Sequence, residues 1–451
     1  EANVTIVAKI INEVNENDLR IAIKRVTEKH PLLQAHIKIN NNRDIYFETN
    51  EHITIPLKVI AKVSEDQWKD VIEEEYKTPF DFENGPLIRF ILLKSLDNSD
   101  LIVFCQHMIC DGLSLTNLIH EILIFMENPN YELSIVNDIC LPIPENIILP
   151  KESNRFGNIA KKVIMNYINK RWNKTRIDFG HEDFLQIHKS FSEKYKYKII
   201  VTEFCEEDTN KLKEVCRQNS VTVNSAISVA FLAGRKDTIS NFSNDIQGVA
   251  VNVRNRLKKP VSNAFGCFVS DIGFKFNYTE KQSFWDNVRS YHKNVRSEVE
   301  NSKDLHSLIS LSNMDSTLME ALTFARHINY NPDKFENCER LCKLSPKKKH
   351  IATRLSQAGL KEYPGLLITN LGSLEYASNY DKIKLDKIYF APSSIPMQGG
   401  GLIIGAVSVN NKLVITLNIM ISNEKSDYLH LMNEINDNAI KYLQNVIKNN
   451  P

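Results

Sequence analysis

The 451 residues carry almost no excess of either charge: 56 Lys and Arg stand against 55 Asp and Glu, a formal net charge of +1. Non-specific nucleic-acid binding needs a basic surplus to displace counterions from phosphate, so that class is set aside, and with it the simplest attraction to an anionic membrane. Long apolar runs are missing too. The longest, residues 101–105 and 402–407, fall far short of the roughly 18 residues that a spanning helix needs, so no membrane insertion is expected. The start, Glu-Ala-Asn-Val-Thr-Ile, has neither basic residues nor an extended apolar stretch, so no secretory signal is expected there; without Met, it is expected to be trimmed. No Cys-x-x-Cys pair occurs among the eight cysteines at 105, 110, 140, 205, 216, 267, 338 and 342. Cys338 and Cys342 stand four apart with no matching His pair, so no metal site is expected, and free thiols in a reducing cytoplasm are. Gly399-Gly400-Gly401 lacks the Lys-Ser/Thr that closes a phosphate loop.

What is present reads as an ordinary globular chain, 42% hydrophobic and 25% charged, too long for one core. Helical spacing marks residues 17–30, with Asn17 as the cap, and residues 64–76, with Ser64 as the cap. Between them, residues 33–39 and 45–47 alternate as a hairpin. Residues 87–93 and 101–106 are apolar enough to be adjacent buried strands, and residues 115–126 resume helical period. The proline-bearing stretch from 128 to about 190, with a basic helix near 159–172, reads as a crossover between lobes. Beyond it, strands are expected at 196–204, 247–253, 267–276, 366–369, 388–390, 402–409 and 413–420. Helices are expected at 209–217, 223–232, 282–302, 305–325 and 426–447. Mixed elements in both halves predict an α/β fold in two units, residues 1–175 and 176–451.

The segment Gln106-His107-Met108-Ile109-Cys110-Asp111-Gly112 falls where a buried strand ends and a helix begins. An imidazole facing a cavity can take a proton near neutral pH, since its unperturbed pKa is about 6.5. Asp111 suits a structural role, pairing with a cation rather than titrating, and Gly112 permits a sharp turn. Arg254 is the first choice of partner and Arg89 the second. Strand alternation puts Asn252 and Arg254 on one face, opposite Val251 and Val253. A lone histidine at a strand end is more often a hydrogen-bonded structural residue. Cys105 and Cys110 read as small core residues, His120 as a helix-surface residue, and Lys347-Lys348-Lys349-His350, with Lys343 and Arg354, as a solvated loop.

Five segments, in order from about residue 17 to 276, change those odds by resemblance. His30-Pro31-Leu32-Leu33-Gln34-Ala35, Pro79-Phe80-Asp81-Phe82 with Gly85-Pro86-Leu87-Ile88-Arg89, and residues 106–114 resemble motifs of the condensation-domain-like, chloramphenicol-acetyltransferase-like acyltransferase superfamily. Val251-Asn252-Val253-Arg254 and Phe265-Gly266-Cys267-Phe268-Val269-Ser270 resemble two later ones. Gln106 stands where the double-His form has its first His, and the Asp-Phe-Gly-Trp-Gly box of plant relatives is absent. Leu367-Ile368-Thr369-Asn370-Leu371-Gly372 is similar to a segment of free-standing alcohol and polyketide-associated O-acyltransferases.

The resemblance implies two chloramphenicol-acetyltransferase-like α/β lobes in a V around a central tunnel, with His107 facing it. It implies transfer of an acyl group from a thioester, acyl-CoA or a phosphopantetheine-tethered chain, to an alcohol or amine, with His107 as general base. Gly112 N–H and Asn370 are candidates for donating to the oxyanion or for positioning the acceptor, and Arg254, Asn252 and Asn370 for contacting substrate. No permanently bound cofactor is implied. The expected partners are a small-molecule acceptor and an acyl or peptidyl carrier protein, the expected state a monomer, the expected compartment the cytoplasm. The alternatives are a free-standing condensation domain that forms an amide, and a non-catalytic module that docks carrier protein.

Overall fold

The computed structural model describes residues 2–448 apart from 41–44, 133–142, 149–154, 240, 241, 243, 262, 360–363, 394–400 and 424–426, with backbone alone for 144 and 155–161. Cys140, Gly399 and Gly400 lie outside the described residues. In the first part of the chain the strands are β1 (Asn3–Ile11), β2 (Ala35–Ile39), β3 (Ile45–Thr49), β4 (Leu57–Ala61), β5 (Ile88–Lys94) and β6 (Asn98–Gln106). The helices there are α1 (Glu16–Lys29), α2 (Gln67–Glu75), α3 (Gly112–Glu127), α4 (Arg155–Thr175) and α5 (His181–Lys194). Then come β7 (Tyr195–Phe204), α6 (Glu206–Gln218), α7 (Val223–Thr238), β8 (Ile246–Asn252), β9 (Val269–Lys275), α8 (Phe284–Glu300), α9 (Lys303–Ser312), α10 (Ser316–Tyr330) and α11 (Ile351–Gly359). The chain closes with β10 (Leu366–Leu374), β11 (Asn379–Tyr380), β12 (Ile383–Ala391), β13 (Leu402–Val409), β14 (Lys412–Ser422) and α12 (Tyr428–Lys448).

Two six-stranded sheets organise these elements, in the orders β11-β12-β1-β6-β5-β4 and β7-β14-β13-β10-β8-β9. Each has its own core. In the first, β6 and α3 supply apolar side chains throughout, including Leu101, Val103, Phe104, Leu118, Ile119 and Ile122, all at most 1% exposed. In the second, α7 and α12 cover the sheet with Phe231, Ile435 and Leu443 among the buried residues. This is the α/β architecture in two sheet-centred lobes.

The linear division at 175/176 needs a correction. Residues of β11 and β12 come late in the chain yet belong to the first sheet, where β12 runs antiparallel to β1 with Thr5 opposite Ala391 and Ala8 opposite Ile388. The reason is burial: β1 is enclosed on both faces and needs a partner on each edge, and β6 satisfies only one. Aromatic contacts seal the junction. Trp68 stacks on Tyr389 at 4.7 Å, and Tyr76 stacks on Tyr197 of β7 at 4.1 Å.

Several local readings shift by a few residues for identifiable reasons. Asn15, not Asn17, caps α1, its side chain accepting from the amides of Asn17 and Asp18. The second helix starts at Gln67, and Ser64 does not cap it. The expected strand from residue 33 begins at Ala35, because Pro31–Gln34 forms a 3-10 turn. The expected helix 305–325 is two, α9 and α10, with Asp315 capping the second.

Helix α7 crosses α12 so closely that a Cβ on Gly234 would lie 2.5 Å from Ala439 N and 2.8 Å from Ile435 O. Backbone cannot yield as a side-chain tip can. Gly234→Ala is therefore expected to destabilise the protein by about 1–3 kcal/mol despite the better helix propensity of alanine, as read by urea unfolding.

Candidate functional site

The site grows from the end of β6. Gln106 N donates to Leu87 O and His107 N to Ala2 O, at 2.9 and 2.8 Å, so ladder-type hydrogen bonds pin the backbone up to the motif histidine. The chain then turns, and Asp111 becomes the N-cap of α3, its Oδ1 accepting from Ser114 N at 2.8 Å. A capping aspartate contributes about 1 kcal/mol to a helix.

Asp111 does more than cap. Arg254 Nη1 donates to its Oδ2 at 2.8 Å and Nη2 to its Oδ1 at 2.9 Å, and Phe268 N donates to Oδ2 at 2.8 Å. Both side chains are nearly inaccessible, 4% and 5% exposed. Arg254 Nη2 also reaches Ser114 Oγ at 2.7 Å, and the guanidinium lies over the Phe268 ring at 4.7 Å. Ser114 Oγ donates to Gly266 O and accepts from Gly266 N, at 2.6 and 3.1 Å. One carboxylate and one hydroxyl thus tie the turn of the first lobe to residues 252–268 of the second. The Asp111–Arg254 ion pair is present in this arrangement, and Arg89 is engaged elsewhere, on Glu75.

Burial of Arg254 corrects its candidacy as a substrate contact, since its guanidinium is committed to Asp111, Ser114 and Asn252. Asn252 is exposed, and its Oδ1 accepts from Arg254 N at 3.0 Å. The two residues meet, though not by strand alternation: β8 ends at Asn252, and Arg254 opens a 3-10 turn. Gly112 also serves a different need from the expected one. Its φ is not left-handed; instead, a Cβ there would lie 2.7 Å from Leu371 Cδ2 and 2.9 Å from Phe390 Cε2. Glycine lets strands β10 and β12 close on the start of α3. Asn370, on β10, spends its Oδ1 on Gly372 N at 2.8 Å, where Gly372 takes φ +80°.

His107 is half-buried, and its Nδ1 lies 2.8 Å from Cys110 O. A carbonyl can only accept, so Nδ1 carries the proton, and Nε2 of the neutral ring holds the lone pair. Cys267 Sγ is 3.7 Å from the same Nδ1, a contact that sequence reasoning missed. Burial, with the nearby Asp111 carboxylate adding to it, pushes the Cys267 thiol up to about 12. Burial likewise raises Cys110, whose sulfur sits in the core beside Cys105. Ser114 was part of the matched segment without a role; its place as the hub between lobes has no local sequence signal.

Other singled-out residues lie apart from this centre. His120 is half-buried rather than on the surface: it stacks on Tyr376 at 4.5 Å, and its Nδ1 is 2.7 Å from Tyr380 Oη. Lys347 pairs with Glu336 at 3.0 Å on the exposed loop. Clefts of about 570 and 630 Å³ lie around His36, Glu48 and His52 and around Arg20, Thr27 and Ile55; Gln34 of the first matched segment lines the second, and no residue of 106–114, 251–254 or 265–270 lines either. Among the described residues, no helix is long and apolar enough to cross a membrane, and no group of three or more His, Cys, Asp or Glu side chains is placed to hold a metal ion.

Comparison with known proteins follows the same lines. Residues 2–132 match the family model of the condensation domain. Bacitracin synthase 3 of Bacillus licheniformis is 22% identical over 336 residues, which are 71% of this chain and 5% of that protein. The chain thus spans about one twentieth of the length of the curated relatives it matches. Among solved structures, the condensation domain of the Monacolin K polyketide synthase superposes with a TM-score of 0.61 at 11% identity, over 99% of this chain and 92% of that one. The trichothecene 15-O-acetyltransferase of Fusarium sporotrichioides superposes with a TM-score of 0.57 at 10% identity, over 98% and 91%.

The buried pair yields a test of its own. Arg254→Ala or Asp111→Ala leaves an uncompensated charge and is expected to cost about 3–5 kcal/mol in urea unfolding. The double variant should cost clearly less than the sum of the two.

Proposed function

We propose, from a condensation-domain sequence in the N-terminal lobe and the two-lobed condensation and chloramphenicol-acetyltransferase-like fold of the whole chain, that this protein is an acyltransferase using His107 as its base. The donor is an acyl thioester, on coenzyme A or on a carrier protein, and the acceptor is a hydroxyl group. The observation that carries this reading is the 2.8 Å contact from Nδ1 to Cys110 O, which makes Nε2 the proton-accepting nitrogen on a half-exposed ring.

The chemistry follows from that assignment. Nε2 takes the acceptor's proton as its oxygen attacks the thioester carbonyl. The tetrahedral oxyanion is met by hydrogen-bond donors, for which Gly112 N–H and Asn370 Nδ2 are the candidates; each such donor contributes roughly 3 kcal/mol at comparable centres. Collapse breaks the C–S bond, and the leaving thiolate recovers the proton from the imidazolium. Both substrates are bound together, one from each side of the lobe junction, so no acyl-enzyme is required and no resident cofactor enters. Asp111 and Arg254 hold the turn and transfer no proton.

The synthetase relative supports a second reading, amide formation between two carrier-tethered substrates, in which the same nitrogen accepts the proton of an amine. The third, a silent docking module, has no use for a histidine with a fixed lone pair. A single experiment separates the three. Thiol release from acetyl-, octanoyl- and palmitoyl-CoA is followed with panels of alcohols and amines, and with an acyl carrier protein as donor. The parent is expected to release thiol with alcohols, and His107→Ala to fall by at least about 10²-fold at preserved thermal stability. Equal rates for parent and variant would remove the base, and a stable carrier complex without turnover would leave only docking.

A further inference from the structure

We infer that Cys267 is a positioning residue for His107: its sulfur and the Cys110 carbonyl together keep the ring proton on Nδ1 and the lone pair of Nε2 toward the acceptor. The inference rests on the acyl-transfer reading of the site and adds a residue to it.

Three anchors fix where Cys267 stands. Gly266, just before it, is bound at both N–H and C=O by Ser114 Oγ. Phe268, just after it, gives its N–H to Asp111 at 2.8 Å. Phe265 packs its ring 5.7 Å from that of His30. The thiol is therefore held in place from both sides by the same groups that hold the motif turn, and its sulfur rests 3.7 Å from Nδ1. Sulfur is a weak acceptor, so the N–H aimed at Cys110 O has a second, softer partner on its other flank. Removing that atom would leave a gap beside the ring and let it swing off the carbonyl.

The same geometry excludes a nucleophilic role. The nitrogen facing Cys267 already carries a proton and cannot take another from the thiol. Burial reinforces this by keeping the thiol protonated, pushed up to about 12. Neutrality here has a consequence. Among the described residues, the titratable groups that face the imidazole are the Cys110 and Cys267 thiols, with Cys105 beside Cys110 and the Asp111–Arg254 pair, whose charges offset each other, beside Cys267. A net anion at position 267 would favour the imidazolium and occupy the base.

The test is built so that the two readings fail separately. Protein labelled with ¹⁵N-histidine is examined by long-range ¹H–¹⁵N correlation from pH 4.5 to 8.5, with His107→Ala to assign the ring. The parent should show a protonated Nδ1 and a lone-pair Nε2. In Cys267→Ala the two shifts should converge, in Cys267→Ser they should move back apart, and in Cys267→Asp the protonation midpoint should rise by at least about one pH unit. In thiol release from acyl-CoA, Cys267→Ala should lower kcat roughly three- to tenfold at constant KM, with Cys267→Ser recovering part of it. The acid limb of kcat/KM should move up in Cys267→Asp. Identical ring shifts in parent and Cys267→Ala, or an unmoved midpoint in Cys267→Asp, would overturn the inference. Full turnover by His107→Ala would instead overturn the base assignment, while the spectra still decide the tautomer.

Discussion

The Asp111–Arg254 ion pair is the constraint on which the centre of this molecule depends. Two opposite charges lose most of their hydration here, a loss of several kcal/mol per ion unless every polar atom finds a partner. Asp111 does: its two oxygens accept from Arg254 twice, from Phe268 N and from Ser114 N. Because donors come from both lobes, the pair forms only when β8, the 264–268 segment and the start of α3 are all in register. The position of His107 is therefore not set by its own turn alone. It is an outcome of how the lobes meet.

A second tie acts along the sheet. β12 reaches back across nearly the whole chain to pair with β1, so the first lobe is completed only by strands that follow the second lobe's β10 in sequence. Phe390, on β12, together with Leu371 of β10, crowds position 112, so that any Cβ there would have to displace these side chains. The requirement at Gly112 is thus steric, imposed from the far end of the sequence, and it links the motif to the same late strands that complete the first sheet.

How far this was legible in the sequence depends on the range of the interaction. β6 and α3 were readable because they are buried on almost every side and carry apolar residues to match. The Asp111–Arg254 pairing was readable from the charge that a buried carboxylate needs and from a matched segment 143 positions away. Alternation past Asn252 misled, since the strand stops there and a 3-10 turn does the work of bringing Arg254 inward. β1 went unread: its run Val4 to Ile11 stands at the start of the chain, and nothing local says that it will be a central strand. The return of β12 has no local signature at all. Cysteine spacing spoke only to metals and disulfides, and so passed over a thiol whose relevance lies in which ring nitrogen it touches.

In the proposed reading a histidine acts directly between two bound substrates, with the adjacent sulfur kept protonated beside it and not used as an acyl carrier. The most direct measurement is intact-protein mass spectrometry with rapid-quench thiol counting after mixing the protein with acyl-CoA in the absence of acceptor. An unchanged protein mass and no burst of coenzyme A are predicted. A burst of one equivalent, with an acyl group mapped to Cys267 or Cys110, would contradict the account.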